Sequence, residues 1–216
     1  MVRYVPVMLN CEGKSCVIAG GGAVAERKAS SLLQAGASVH IISPDVTPRL
    51  AAMADEGSVR WSERAYQPGD LEGAFLVYAA TEHEEVNHLI AEEARSLGTL
   101  VNIAHHGEAG DFISPAVLRR GRLTLAVTTA GAGPLASVQL CRHLESELGS
   151  SFDLYLEFLY ELRQGIKKQV KTPSERHRLM RAIHEQDLWL DIERGDFIPW
   201  TPAQIQDWIT DNQEAE

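Results

Sequence analysis

Residues 15–28, reading SCVIAGGGAVAERK, constrain the fold more than any other stretch of the chain. Cys16, Val17, Ile18 and Ala19 form an unbroken apolar run, the pattern of a central parallel strand buried on both faces. Three glycines follow at once, and Gly20, Gly22 and Ala25 fit the pattern G-x-G-x-x-A. Each small residue of that pattern has a physical task. The first permits a tight turn, the second lets backbone N–H groups approach a diphosphate, and the third lets the helix pack close to the sheet. An anion held there also meets the positive end of the helix dipole. A glycine-rich turn alone is equally an ordinary loop, so the flanking elements decide. After the turn, Ala25, Ala29, Leu32 and Leu33 recur at helical spacing, and Ala35-Gly36 is a helix stop. A second β-like run, SVHIIS, occupies residues 38–43. The unit reads β-α-β over about 30 residues, the span a dinucleotide fingerprint requires.

The rest of the N-terminal half continues the alternation. Residues 4–9 read as a short edge strand, because Pro6 has no N–H to give to a central ladder. Helix is expected over 48–55, strands over 59–63 and 75–79, and a strand over 100–103. Thr81 and Glu84 have the spacing of a capping box at the start of a helix that runs to Leu97 and stops at Gly98. Alternating strands and helices of this kind give an α/β fold, a Rossmann-type doubly wound parallel sheet. Ligands bind such sheets beyond the carboxyl ends of the strands. That rule selects Gly20, Gly22, Ala25, Pro44, Asp45, Ala80, Thr81, Asn102, His105 and His106. Asp45 stands where an acidic residue meets ribose hydroxyls and equally where a helix-start residue precedes Pro48; the sequence leaves both open.

Past Asp111 the character changes. Residues 112–115 and 123–128 read as strands of a second small sheet, with Arg119-Arg120-Gly121-Arg122 as the turn between them. A small-residue loop over 129–134 opens a helix that extends to Leu148, with Ala136, Leu140, Leu144 and Leu148 on one stripe. From Phe152 onward the pattern is helical. Tyr155, Phe158, Leu159, Leu162 and Ile166 form a strong apolar stripe, followed by helices near 174–186 and 202–208.

The formal net charge of −10 argues against a nucleic-acid partner, which needs a basic face. No run approaches the ~20 apolar residues of a membrane span, and no charged-then-apolar leader opens the chain, so a cytoplasmic protein is expected. The three cysteines, Cys11, Cys16 and Cys141, lack metal-ligand spacing and read as buried thiols. No metal-ligand set is assigned.

The run from Gly20 to Lys28, joined to Ala79-Ala80-Thr81, Val101-Asn102, Asp111-Phe112-Ile113-Ser114-Pro115 and the stretch from Ala126 to Pro134, resembles the precorrin-2 dehydrogenase part of siroheme synthase. The resemblance covers nearly the whole chain. It implies NAD as cofactor, precorrin-2 as a tetrapyrrole substrate oxidised to sirohydrochlorin, and a homodimer, with an NAD-binding domain over 1–113, a dimerisation segment over 114–150 and a helical C-terminal domain over 151–216. It places NAD against Ala23, Val24, Pro44 and Asp45, and in several members it implies insertion of Fe²⁺ as well. The family commonly has an aspartate three residues after the asparagine, implicated in both reactions; here that position is His105.

Two readings of His105 follow. Either its imidazole takes over proton transfer, which its ordinary pKa of ~6.5 allows, or the site has lost one activity, iron insertion being the candidate. Both histidines also fit a solvated loop. Arg119, Arg120 and Arg122 fit bidentate binding of substrate carboxylates or a solvated turn. A chelatase that inserts Fe²⁺ or Co²⁺ without dehydrogenation and a non-catalytic NAD-sensing domain are the alternatives to the oxidoreductase reading.

Overall fold

A computed structural model describes residues 4–104, 109–186 and 188–213, and the chain divides into two compact units, Met1–Ser114 and Pro115–Glu216. The first holds five parallel strands, β1 (Ser15–Ala19), β2 (Ser38–Ile42), β3 (Arg60–Ser62), β4 (Leu76–Ala79) and β5 (Leu100–Ile103), in the order β3-β2-β1-β4-β5. Between them run α1 (Ala23–Gln34), α2 (Pro48–Asp55) and α3 (Glu84–Leu97). This is the doubly wound α/β architecture expected. The unbroken apolar run of β1 is explained by its central place, since every residue from Cys16 to Ala19 is buried.

The two faces of the sheet divide by side-chain parity, as the two-residue period of a strand demands. Cys16, Ile18, Val39, Ile41 and Leu76 face Ala25, Ala29 and Leu32 of α1 and Leu50 of α2. Val17, Ala19, Ile42, Val77, Ala79, Val101 and Ile103 face Ile90, Ala91 and Ala94 of α3. Register matters more for function. Ala19 pairs with Ile42 on one side and Ala79 on the other, and Ala79 pairs with Ile103, so four strands end level. The loops that leave them therefore start along one edge.

Two expectations for this unit fail. Residues 4–10 form no strand and pair with neither edge strand, β3 or β5; Val5, Val7 and Met8 are well exposed. Pro6 has no N–H to give to a ladder there. The capping box is also absent. α3 begins at Glu84 with His83 as its N-cap, and the Thr81 hydroxyl bonds the Asn87 side chain and the His83 carbonyl instead.

The second unit opens with an antiparallel hairpin, β6 (Ala116–Arg120) and β7 (Leu123–Val127), turning at Gly121-Arg122. Residues 112–115 lie outside the hairpin, contrary to expectation. Among the described residues five helices follow: α4 (Pro134–Glu147), α5 (Ser150–Gln169), α6 (Pro173–Glu185), α7 (Leu188–Arg194) and α8 (Pro202–Gln213). On α4 the buried positions are Ser137 and Cys141; of the predicted stripe Ala136, Leu144 and Leu148 are half-buried and Leu140 is exposed, and Leu135 and Val138 beside it are exposed too. On α5 the predicted stripe is internal. Tyr155, Phe158, Leu162 and Ile166 pack with Leu179, Ile183, Ile205 and Ile209. Phe158 sits at the centre of this core, 5.6 Å from the ring of Phe197 and 5.1 Å from that of Trp200.

Truncating a side chain so enclosed removes its transfer free energy and leaves a cavity. Phe158→Ala is expected to destabilise the protein by about 3–5 kcal/mol, measured by urea unfolding. A loss under ~1 kcal/mol would show that the helical core is not organised around this ring.

Candidate functional site

The site is built where the level strand ends deliver their loops, and the absence of side chains at two glycines lets those loops meet. Gly20 has φ +123°, and a Cβ there would lie 2.2 Å from the Ala80 carbonyl oxygen. A Cβ at Gly21 would lie 1.9 Å from the Asp45 carbonyl oxygen and 2.8 Å from Ser43 Oγ. Both distances are far inside van der Waals contact, so neither position tolerates alanine without backbone movement. Gly22 differs, since a Cβ there would meet nothing within 4 Å. Two glycines thus bring neighbouring loops against the turn, and the third faces open space.

That open space lies at the start of α1. Gly22 is the N-cap and makes no side-chain capping bond. The first-turn N–H groups of an α-helix have no intrahelical acceptor, and those of Ala23, Val24 and Ala25 precede the first ladder bond, from Glu26 N–H to the Gly22 carbonyl at 3.0 Å. Gly22 and Ala23 are exposed, Val24 is half-buried, and Ala25 is fully buried against the sheet. Uncapped donors, the positive helix end and room for an approaching group are what a diphosphate needs.

Hydrogen bonds fix the flanking loops. The Thr47 N–H donates to the Gly21 carbonyl at 2.9 Å, and the Thr47 hydroxyl donates to Glu26 Oε2 at 2.7 Å. Arg49 lies 3.5 Å from the other Glu26 oxygen. Ser43 Oγ donates to the Asp45 carbonyl at 2.6 Å, which leaves Pro44 and Asp45 as an exposed rim beside the glycine turn. The Gly20 N–H donates to the Ile42 carbonyl on this side, and on the other the Ala80 N–H donates to the Ala19 carbonyl. Asn87, buried in α3, accepts from the Thr81 N–H and hydroxyl and donates to the Thr81 carbonyl.

Gly20, Gly22, Ala23, Val24, Ala25, Pro44, Asp45, Ala80 and Thr81 therefore border one edge of the sheet. Asn102 is placed differently. It pairs with Tyr78 one residue before the strand ends, is buried, and donates its amide N–H to the Phe112 carbonyl at 2.7 Å. Its partner segment is held further by the Val101 N–H donating to Asp111 Oδ2 at 3.0 Å. His105 and His106 lie outside the described residues. The three candidate arginines of the second unit, Arg119, Arg120 and Arg122, have partners. Arg120 donates to Asp153 at 2.8 Å, and Arg122 forms a fork on Glu157 at 2.6 and 2.9 Å while stacking on Tyr160.

Sequence reasoning missed Gly21, Glu26 and Asn87. Asn87 carried a usable signal, a polar residue on the stripe of Ile90, Ala91 and Ala94 at helical spacing. Glu26 carried a weaker one, a carboxylate in the first turn of the helix. Gly21 carried none, because its neighbour is a backbone carbonyl. Burial holds the Cys16 thiol protonated, raising it to about 12, in keeping with a structural role. Among the described residues no group of three His, Cys, Asp or Glu is placed to hold a metal, and no helix is long and apolar enough to cross a membrane.

Comparison with known proteins gives the geometry a context. The family model described as "Putative NAD(P)-binding" matches residues 7–116. A siroheme synthase from Chromobacterium violaceum is 33% identical over 195 residues, 90% of this chain and 42% of that protein. A precorrin-2 dehydrogenase from Bacillus subtilis is 33% identical over 160 residues, 74% of this chain and 98% of that one. The solved structure of SirC, precorrin-2 dehydrogenase, matches with a TM-score of 0.75 at 27% identity, covering 98% of this chain and all of that one. The chain thus spans less than half the length of the siroheme synthase it matches.

The contrast between neighbouring glycines is testable without a ligand. Gly21→Ala is expected to cost about 1–3 kcal/mol or more through overpacking against Asp45, whereas Gly22→Ala costs under ~1 kcal/mol. Thermal unfolding of the two variants side by side decides; equal losses would contradict the assigned roles.

Proposed function

The chain belongs to the precorrin-2 dehydrogenase family, and from that premise we propose that it oxidises precorrin-2 to sirohydrochlorin with NAD⁺. The observation that carries the proposal is the uncapped start of α1 behind Gly22, at an edge bordered by three strand-end loops. The N–H groups of Ala23 and Val24 hold the diphosphate, with Gly20 shaping the turn beneath it and Ala25 packing the helix start close to the sheet. Pro44 and Asp45 border the adenosine half, and Ala80, Thr81 and the end of β5 border the nicotinamide half. Asn102 acts through the Phe112 carbonyl it holds, which positions the segment after β5.

When bound, the nicotinamide accepts a hydride from the macrocycle. The chain's own task is to hold that ring edge near the coenzyme and to take up the proton released, for which His105 is the group assigned. Precorrin-2 and NAD⁺ then yield sirohydrochlorin, NADH and a proton, which balances atoms and electrons. The exposed Leu135, Val138 and Leu140 of α4 support placing the contact between two copies in residues 114–150, and residues 151–216 form the helical part behind it. Insertion of Fe²⁺ or Co²⁺ into sirohydrochlorin is a second activity of the same site, with His105 receiving pyrrole protons. The setting for both is the cytoplasm.

The direct experiment mixes protein, precorrin-2 and NAD⁺ and follows NADH and sirohydrochlorin by absorbance, with and without Fe²⁺. Both products are expected to rise together; sirohydrochlorin without NADH would overturn the dehydrogenase reading. Gly22→Asp places a carboxylate at the diphosphate and is expected to abolish NAD⁺ binding in calorimetry while the protein remains folded; unchanged affinity contradicts the assignment. His105→Ala is expected to slow NADH formation about 10²-fold or more, and an unchanged rate removes it from the reaction.

A further inference from the structure

Lys28 lies on α1 five residues past its start, about 7–8 Å along the helix axis from Ala23. Its side chain is half-buried, with the ammonium 5.1 Å from the centroid of the Tyr78 ring. Tyr78 stands one residue before the end of β4, on the same face of the sheet as Asn102. The edge of its ring meets Phe112 at 5.4 Å and 75°, and its hydroxyl lies 3.2 Å from Ser114 Oγ. Within the first unit, α1 and α2 pack over the β1 and β2 side of this face, and residues 111–114 flank β4 and β5.

The cation is the unusual member of this group. Arg64 and Arg120 each have a carboxylate partner, Asp70 at 2.6 Å and Asp153 at 2.8 Å. Among the described residues no carboxylate pairs with Lys28, and its attractive contact is the Tyr78 face. Withdrawing an ammonium from water without a counter-charge is unfavourable. Burial, and to a lesser degree the neighbouring Arg27 charge, lower Lys28 to about 8. The aromatic face returns part of the lost solvation, because its quadrupole attracts a cation. A carboxylate brought in by a ligand would complete the pairing.

We propose that Lys28, held over Tyr78, binds a carboxylate on the rim of the macrocyclic substrate and so fixes which ring edge meets the coenzyme. The proposal rests on the dehydrogenase reading above, whose substrate is a tetrapyrrole bearing many carboxylates. Lys28 is in this sense a substrate-positioning residue, adjacent to the diphosphate site and separate from it.

Kinetics of purified variants test it. Lys28→Met is expected to raise KM for precorrin-2 roughly ten- to hundredfold, the range of one charge-assisted hydrogen bond, with kcat and NAD⁺ affinity unchanged. Lys28→Arg, which keeps the charge, recovers most of the loss. An unchanged KM overturns the proposal. So does a fall in kcat at constant KM, which would make Lys28 a proton acceptor, or a parallel loss of NAD⁺ affinity, which would assign it to the coenzyme. A second measurement needs only wild-type protein with ¹³C-methylated lysines, the Lys28 signal being identified as the one missing from Lys28→Arg. Sirohydrochlorin added without NAD⁺ is expected to move the Lys28 titration upward, since a carboxylate favours the charged form; an unmoved titration overturns the proposal. Wild-type protein that makes no NADH from precorrin-2 sinks the function reading itself, an outcome visible before any variant is compared.

Discussion

The structure depends on how closely backbone can approach backbone where β1 ends. The Ala80 carbonyl occupies the place of a Gly20 side chain and the Asp45 carbonyl that of a Gly21 side chain, so the loops after β2 and β4 close in on the turn from both sides. Strand pairing aligns the ends, and the Ile42 and Ala19 carbonyls accept from the Gly20 and Ala80 N–H groups to hold them together. Any β-carbon at either glycine would spread the loops apart. The uncapped start of α1 would remain, but the walls on either side of it would not.

This explains why a helix beginning without a side-chain cap suits the site. Serine or aspartate at Gly22 would satisfy a first-turn N–H and add stability to the isolated helix, at the same time removing a donor from a ligand. The carboxylate that complements the helix dipole is instead Glu26, one turn further in, where Thr47 and Arg49 share it. Glu26 thereby couples the helix to the loop bearing Pro44 and Asp45 and leaves the donors of Ala23 and Val24 on the open side of the turn, with Ala25 buried against the sheet. Ser43 and Asn87 spend their hydrogen bonds on the loop backbone of Asp45 and Thr81, and Asp111 spends its own on the β5 backbone.

Much of this was legible in sequence because it rests on local pattern. The apolar run of β1, the glycines, the buried alanines of α1 and the α5 stripe each report their own environment through residue type and period. What was not legible depended on partners distant in sequence. The Pro6 segment has enough apolar residues for a strand, and only the structure shows that it joins neither sheet edge, with Val5, Val7 and Met8 exposed. Thr81 and Glu84 have capping spacing, yet Asn87 offers the Thr81 hydroxyl a better acceptor. The α4 stripe of Ala136, Leu140, Leu144 and Leu148 is half-buried apart from the exposed Leu140, and no periodicity distinguishes an internal face from one that meets another copy. Asn102, predicted at the site from its strand-end position, turns its amide to Phe112. Arg120 and Arg122 resembled ligand-binding guanidiniums until Asp153 and Glu157 were placed beside them.

The central claim is that main-chain donors at the start of α1 receive the dinucleotide diphosphate. Amide chemical shifts of ¹⁵N-labelled protein, followed while NAD⁺ is titrated in, test it most directly. The account predicts that the largest saturable changes fall on Gly22, Ala23, Val24 and Ala25, with smaller ones on Asp45 and Thr81. Saturable binding that leaves those four amides unmoved, with the changes gathered elsewhere, would contradict it.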